Sequence, residues 1–313
     1  MGATTPGRAG GGGALLLTCT MAVDLELFAL LADSVDRHVA DEIRHLVVVP
    51  GAQMPLFRRF ATHRREIVAQ EDVLPFRTFK APGALRHLSF LAEGFRRPIY
   101  LTSRLRPVRG WMLQQAIKIE ATRAAPEAAV IHCDSDMAFV RALTLDHVMP
   151  GGVPHFFATP VSTLSAGHQG WAEQAARLLG ADLPEDFRKT YIENAIVWSA
   201  DEARAMIRRI EERAGRPIHD VVMREASISE YYLYGVHVER VARPAAVSPR
   251  AFPLCRTFWS GAPRADDAQR LAAEMRPDHV AVALQSTRPV PLAERADLYA
   301  CIERALAGES QGA

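Results

Sequence analysis

The sequence predicts an α/β fold: a sheet of largely parallel strands flanked by helices, in one domain with a C-terminal elaboration. Three observations carry this. The runs ALLLTCT and, from Arg44 to Val49, RHLVVV each contain an unbroken apolar stretch, as strands buried on both faces require. Between them Phe28, Leu31, Val35 and Val39 recur at near-helical spacing. A third apolar run, Ala129 to Cys133, follows a helix-forming segment from Trp111 to Thr122.

In chain order, Leu15–Thr20 reads as the first strand, and Asp24 stands where it can cap the helix behind it. Pro50-Gly51 ends the second strand; a helix through Phe57, Phe60 and Ile67 and a third strand within Glu66–Val73 follow. Residues 75–108, rich in Arg and Pro, read mainly as loops. Val153–Thr159 is strand-like, Gln169–Leu179 helical and Tyr191–Trp198 strand-like. Asp201–Arg213 is an amphipathic helix stopped by Gly215 and Pro217. The last third suggests a short helix near Ser229, a strand near Phe252, a strand at His279–Leu284 and a helix from Leu292 to Leu306. Residues 1–13 read as a disordered tail, 14–290 as the main domain and 291–313 as a terminal helix and tail.

Bulk composition narrows the function classes. With 37 Lys plus Arg against 36 Asp plus Glu, the net charge of +1 gives no general attraction for nucleic acid. The four cysteines lie far apart without a C-x-x-C pair, so zinc-ribbon and disulfide frameworks lack support and buried reduced thiols are expected. No apolar run reaches the ~20 residues of a membrane span. The amino end lacks a charged n-region and a cleavage pattern, so a cytoplasmic protein is expected, with peripheral contact at the inner membrane left open.

The chemistry centres on VIHCDSDMAF, where an apolar strand runs into Asp134-Ser135-Asp136. Carboxylates at i and i+2 of an extended segment point the same way and can share one cation. Mg²⁺ or Mn²⁺ prefers such oxygen ligands and completes its shell with water and substrate phosphate. Ligands of open α/β sheets sit beyond the strands' carboxyl ends, where this pair falls. Two other readings remain: a solvated turn, and a phosphohydrolase that also uses D-x-D after a strand. The phosphohydrolase pattern usually wants Thr or Val where Ala138 stands.

The segments RGWMLQQAIKIEA, VIHCDSDMAF, SISEYYLYG and LQST, with the opening LTCTMAVDLELFALLADSV, resemble a bacterial family of unassigned function related to GT-A glycosyltransferases. The resemblance runs over roughly residues 14–290. It implies a GT-A-like (Rossmann-like) mixed sheet, a nucleoside-diphosphate-sugar donor, a carbohydrate or other hydroxyl acceptor, and Mn²⁺ or Mg²⁺ at Asp134 and Asp136. Carried onto this chain, Thr18 and Thr20 would meet the nucleotide. Arg109, Gln114, Gln115, Lys118 and Ser135 would lie along the donor. The Gln-Gln helix also reads as plain core through Met112, Ala116 and Ile119. A non-catalytic nucleotide-sugar or glycan-binding protein is the alternative to an enzyme.

Ser227-x-x-Glu230 has the spacing of a capping box, with Gly235 closing the helix. Glu230 is equally placed as a general base toward an acceptor hydroxyl, with Tyr231, Tyr234 and Trp171 as sugar-binding aromatics. His155, His168 and His237 are candidates for a third metal ligand, each equally readable as a core or surface histidine. The arginines between Arg96 and Arg109 read as a solvated face.

Overall fold

The computed structural model describes residues 11–76, 78–80, 99–102, 107–242, 247–259, 263–285 and 290–309. Its centre is a five-stranded mixed sheet in the order Ile196–Ser199, Glu127–Cys133, Gly11–Cys19, Ile43–Val49, Arg65–Ala69. The last four are parallel, and Ile196–Ser199 joins antiparallel at the edge. The apolar runs form these strands because both faces are covered. Leu15, Leu17, Val48 and Val130 enter one core layer, while Leu16, Val47, Val49 and Ile131 enter another.

The first layer is closed by helices Gly110–Ala124, Ala166–Leu179, Ala200–Ala214 and Glu230–Val236. The second is closed by helix Leu25–His38, which buries Phe28, Leu31 and Val35, and by a three-stranded sheet. That sheet runs Cys255–Phe258, Ala281–Leu284, Met137–Phe139, and its far face carries helices Ala268–Glu274 and Leu292–Glu309. Full burial of each such Leu, Ile or Phe side chain stabilises by roughly 1.5–3 kcal/mol. No helix among the described residues is long and apolar enough to cross a membrane. All four cysteines are free; Cys19, Cys133 and Cys255 are buried, and Cys301 is partly exposed.

Several local expectations are corrected. The first strand begins at Gly11, because Gly11 already pairs with Glu127, so the expected tail loses residues 11–13 to the sheet. Residues 1–10 lie outside the description. Asp24 occupies the N-cap position without a side-chain capping bond. Phe57 and Phe60 lie on two short turns held by Phe28, with ring centroids 5.5 and 5.2 Å away, and Ile67 sits in a strand opposite Val47. Of the expected loop 75–108, residues Thr78–Lys80, Ile99–Thr102 and Pro107–Arg109 pair as short antiparallel strands. Phe252 lies between strands rather than in one, and the strand expected from Tyr191 starts at Ile196. Just before it, Ala195 takes φ 55°, a left-handed conformation that interrupts an extended chain.

Gly215, at φ 62°, does end helix Ala200–Ala214. Gly235 has a different purpose. It lies inside helix Glu230–Val236, which continues into the π-helical turn His237–Ala242, and an added Cβ there would collide with the buried Tyr191 ring. Gly235→Ala is therefore expected to destabilise by about 1–3 kcal/mol, as overpacking does. Urea denaturation checks this, and an unchanged midpoint would contradict the contact.

Candidate functional site

The parallel strands end together. Thr18 is register partner of both Val47 and Cys133, which brings Cys19-Thr20, Val48–Pro50 and Asp134 to one edge. Helix Gly110–Ala124 crosses this edge, and beneath it lies a cavity of about 240 Å³. Gly110, Leu113, Gln114 and Ile117, spaced i, i+3, i+4, i+7, form its roof. Cys19, Thr20, Asp24, Pro50 and Gln70 lie opposite, and Trp111 completes the wall. The Thr20 side chain is buried, and its Oγ1 makes no hydrogen bond among the described residues. A buried hydroxyl facing a cavity without a partner is suited to a ligand that supplies one.

Thr18 has a different environment. Arg65 Nε donates to His45 Nδ1 at 3.0 Å, so His45 Nε2–H donates to Thr18 Oγ1 at 3.1 Å. Burial, then the charges of Arg65 and Arg64, hold the His45 pKa well below 6.5 and keep the imidazole neutral. The strand stops at Cys19, so Thr20 leaves the pleat that buries Thr18.

The other flank of the same helix holds a buried ion cluster. Lys118 Nζ lies 3.3 Å from Asp134 Oδ1, 3.3 Å from Glu230 Oε1 and 3.0 Å from the Tyr231 hydroxyl. Burial disfavours the ammonium, but Asp134, Tyr231 and Glu230 outweigh it and hold the Lys118 pKa well above the ordinary lysine value. Burial raises the Glu230 pKa, against the pull of Lys118 and of its own backbone N–H. Asp134 keeps 38% of its side chain exposed, whereas the Lys118 and Glu230 side chains are each 4% exposed. Asp134 is thus the cluster's outlet to solvent. The Asp24 carboxyl is raised by burial and then by Asp134, so two carboxylates crowd this edge.

Asp134-Ser135-Asp136 is not an extended segment. The strand ends at Cys133, Ser135 and Asp136 form a turn, and Met137–Phe139 pairs in the second sheet. Asp134 lies close enough to act on Cys19, Asp24 and Lys118, and Asp136 on Cys255 and Tyr299. Ser135 and Asp136 are buried, and the Asp136 carbonyl accepts from the Tyr299 hydroxyl (3.0 Å) and Leu284 N–H (3.1 Å). Among the described residues no three His, Cys, Asp or Glu gather as metal ligands. Mg²⁺-type ions take one or two protein carboxylates beside substrate phosphates. A half-exposed Asp134 with Asp136 two residues on fits that smaller donor set.

The remaining predicted residues divide. Gln114 lines the cavity. Gln115 is buried with both ends of its amide used: Nε2 donates to Ile228 O (2.9 Å) and Oε1 accepts from Glu230 N–H (3.0 Å). It replaces the expected capping box, because the Ser227 hydroxyl accepts from Trp171 Nε1–H at 2.8 Å instead. Tyr231 is buried on Lys118; Tyr234 is buried flat against Trp198 (4.6 Å, 11°), its oxygen accepting from Ser199 N–H. Trp171 is half-buried in helix Ala166–Leu179, with ring centroids 5.5 Å from Trp111 and 5.0 Å from His168. His155 turns to the His147 carbonyl and His237 to Glu202, each with its pKa lowered to about 4, chiefly by burial. The Arg109 side chain, most of the Arg96–Arg109 stretch and the Ser-Thr of LQST lie outside the described residues.

Sequence reasoning passed over Asp24 as a cavity residue, Gln70, Trp111 and the pair Glu193-Asn194. Ile196 pairs with His132, so the chain just before it runs beside the carboxyl end of the strand that delivers Asp134. The polar pair directly ahead of the apolar run IVW was the available signal. Burial raises the Glu193 pKa to about 8, despite hydrogen bonds from Thr257 and Trp259.

A mixed α/β sheet with a cavity at the ends of its parallel strands, beside a buried lysine–carboxylate cluster, has the arrangement in which such sheets can take a ligand at that edge. Residues 13–266 match the family of unknown function DUF6492, and the chain belongs to it. A comparison with curated proteins gave no match. Two solved structures are similar: an active-site mutant of LgtC (12% identity, TM-score 0.48, 91% of this chain and 95% of that one), and the galactosyltransferase LgtC with donor and acceptor sugar analogues (12% identity, TM-score 0.46, 95% and 99%). Similarity at this level says nothing of activity.

Two outcomes follow from the electrostatics. Lys118→Met strands Glu230 in the core and is expected to cost about 3–5 kcal/mol; adding Glu230→Gln should recover part of that loss in a denaturation double-mutant cycle. Simple additivity would show that the two side chains are not coupled. Glu193 keeps its proton in the folded chain above its ordinary pKa of 4.5, so stability falls as pH rises from there toward 8. The slope approaches about 1.4 kcal/mol per pH unit, and Glu193→Gln should flatten it in melts taken from pH 5 to 8.

Proposed function

We propose that the chain is a glycosyltransferase of GT-A type, with residues 14–290 as the transferase unit, moving a sugar from a nucleoside-diphosphate donor to a hydroxyl acceptor. The observation that carries this reading is the buried, unpartnered Thr20 hydroxyl in the cavity at the strand ends, one register step from Asp134. The nucleoside occupies this cavity, with Thr20, Gln114, Gln70 and Asp24 as polar contacts and Trp111 as an apolar wall. The diphosphate leaves it toward Asp134.

Asp134 and Asp136 would hold Mn²⁺ or Mg²⁺, which supplies positive charge to a diphosphate leaving group. The chain's own residues prepare that place. Lys118 sets an ammonium 3.3 Å from the Asp134 carboxylate at the end of a buried strand, and Glu230 with Tyr231 holds the ammonium there. Glu230 therefore acts through Lys118: with its carboxylate buried and ion-paired, it is poorly placed to take a proton from an acceptor arriving from solvent. Gln115 fixes Glu230 in turn by capping its helix.

The test is a thermal-shift panel of nucleoside diphosphates and nucleotide sugars, with and without Mn²⁺. A nucleotide at a hundred times its Kd should stabilise by about 2.7 kcal/mol. Thr20→Val should weaken that stabilisation, and Asp134→Ala should remove its Mn²⁺-dependent part. If no nucleotide stabilises the protein under either condition, the reading fails. Slow donor hydrolysis separates an enzyme from a non-catalytic nucleotide-sugar binder, and phosphate release from simple phosphomonoesters would favour a phosphohydrolase.

A further inference from the structure

A second cavity, of about 530 Å³, shares no lining residue with the one at the strand ends. Its floor is one face of a parallel two-stranded ribbon, His155–Phe157 beside Ser248–Arg250. Phe156 is register partner of Pro249, and the Ala158 N–H continues the pairing by donating to the Arg250 carbonyl at 3.1 Å. One chain lines the cavity through Phe156, Ala158 and Pro160, the other through Val247, Pro249 and Ala251. That alternation is what one face of an extended chain presents, and four residue steps make a trough about 13 Å long. All six side chains are apolar. Phe156 and Val247 are buried, with Phe156 held between Tyr191 and Tyr234, ring centroids 6.0 and 6.1 Å away. Pro160, Pro249 and Ala251 are exposed, so the trough opens to solvent.

A further wall comes from the π-helical turn His237–Ala242, through Val238, Glu239 and Arg240. Such turns are rare and collect at functional sites. Lys189 is register partner of Pro160, which places it at that end of the trough, and its ammonium meets Glu239 at 2.7 Å. The other Glu239 oxygen accepts from the Tyr191 hydroxyl at 2.9 Å, so this carboxylate is fully engaged. Arg250 is paired with Asp278 at 3.2 Å. Arg240 Nε donates to the Asp182 carbonyl at 2.9 Å, which leaves the terminal nitrogens of its guanidinium open among the described residues. Three of the four charged lining residues are cations, and the one carboxylate is already neutralised. The charge left for a ligand is positive.

We propose that this trough binds an anionic single-chain amphiphile, its hydrocarbon chain along the ribbon face and its head group at Arg240 and Lys189. A concave apolar cavity with a few polar groups at one end is the usual form of a small-ligand site. The elongated floor suits a chain better than a compact ring, and the open guanidinium suits a carboxylate or a phosphate monoester. These two heads share one chemistry, and the experiment separates them. The assignment does not rest on the transferase reading, because the two cavities have no residue in common.

The experiment is isothermal titration of the full chain with dodecanoate and with dodecyl phosphate, each kept below its micelle concentration. A single molecule of at least one of them should bind per chain, and the tighter of the two names the head group. Inorganic phosphate and neutral dodecyl maltoside, which carry the head or the chain alone, should each bind at least about tenfold more weakly. Ala251→Trp fills the trough from an exposed position, and Arg240→Gln removes the open cation. Each should weaken the tighter amphiphile about tenfold. Thermal midpoints without ligand report that the variants fold, and either folded variant suffices for the test. The proposal is overturned if neither amphiphile binds, if the maltoside binds as tightly, if many molecules bind per chain, or if a folded variant keeps the wild-type affinity. Association with anionic lipid vesicles but with neither single amphiphile would overturn it in favour of a flat membrane contact. None of these results bears on nucleotide-dependent stabilisation, which tests the donor reading separately.

Discussion

The ammonium of Lys118 is the charge around which the candidate site is organised. A lysine this deep would ordinarily be expensive to ionise, yet Asp134, Glu230 and Tyr231 surround it closely enough to reverse the effect of burial. Removing Lys118 leaves Glu230 buried without its cation, and removing either carboxylate takes one of the ammonium's two ion-pair partners, so the three charged groups are coupled. They come from a helix, a strand end and a second helix that are remote in sequence, and the cluster therefore records the folding of the whole first core layer. It also decides where charge is available: Asp134 alone reaches solvent, at the edge shared with the cavity.

Helix Gly110–Ala124 divides its surface between two tasks. One face, through Gly110, Leu113, Gln114 and Ile117, roofs the cavity; the adjacent face, through Gln115 and Lys118, anchors helix Glu230–Val236. Neighbouring residues in the Gln-Gln pair consequently do unrelated things. Gln114 meets open space, and Gln115 supplies a helix cap that the local sequence lacks.

This explains what could be read from the chain beforehand. The strands were plain because burial on both faces demands unbroken apolar runs, and Phe28, Leu31 and Val35 marked their helix by period alone. Asp134 could be singled out because a carboxylate directly after such a run falls at the strand ends, where open sheets take ligands. The capping box at Ser227 and Glu230 failed for a long-range reason: Trp171 claims the serine hydroxyl, and Gln115 claims the backbone N–H that begins the helix. Thr18 and Thr20 look equivalent two residues apart, but the strand ends between them, sending one to His45 and the other to the cavity. Tyr231 and Tyr234 resembled exposed sugar platforms, whereas the helix turns both rings inward, where Lys118 and Trp198 take them up.

The four free thiols have a practical meaning for measurement. Cys19, at the cavity wall, has its pKa pushed up to about 12, mainly by burial, and Cys133 and Cys255 are buried in the central layers with raised pKa values. Reaction with maleimide or iodoacetamide needs an accessible thiolate, which leaves Cys301, the one partly exposed thiol, on the terminal helix, as the natural attachment point. A single dye or spin label can therefore be carried by the unaltered chain, away from the strand ends, with Cys19 held in reserve as a reporter of any opening of the cavity.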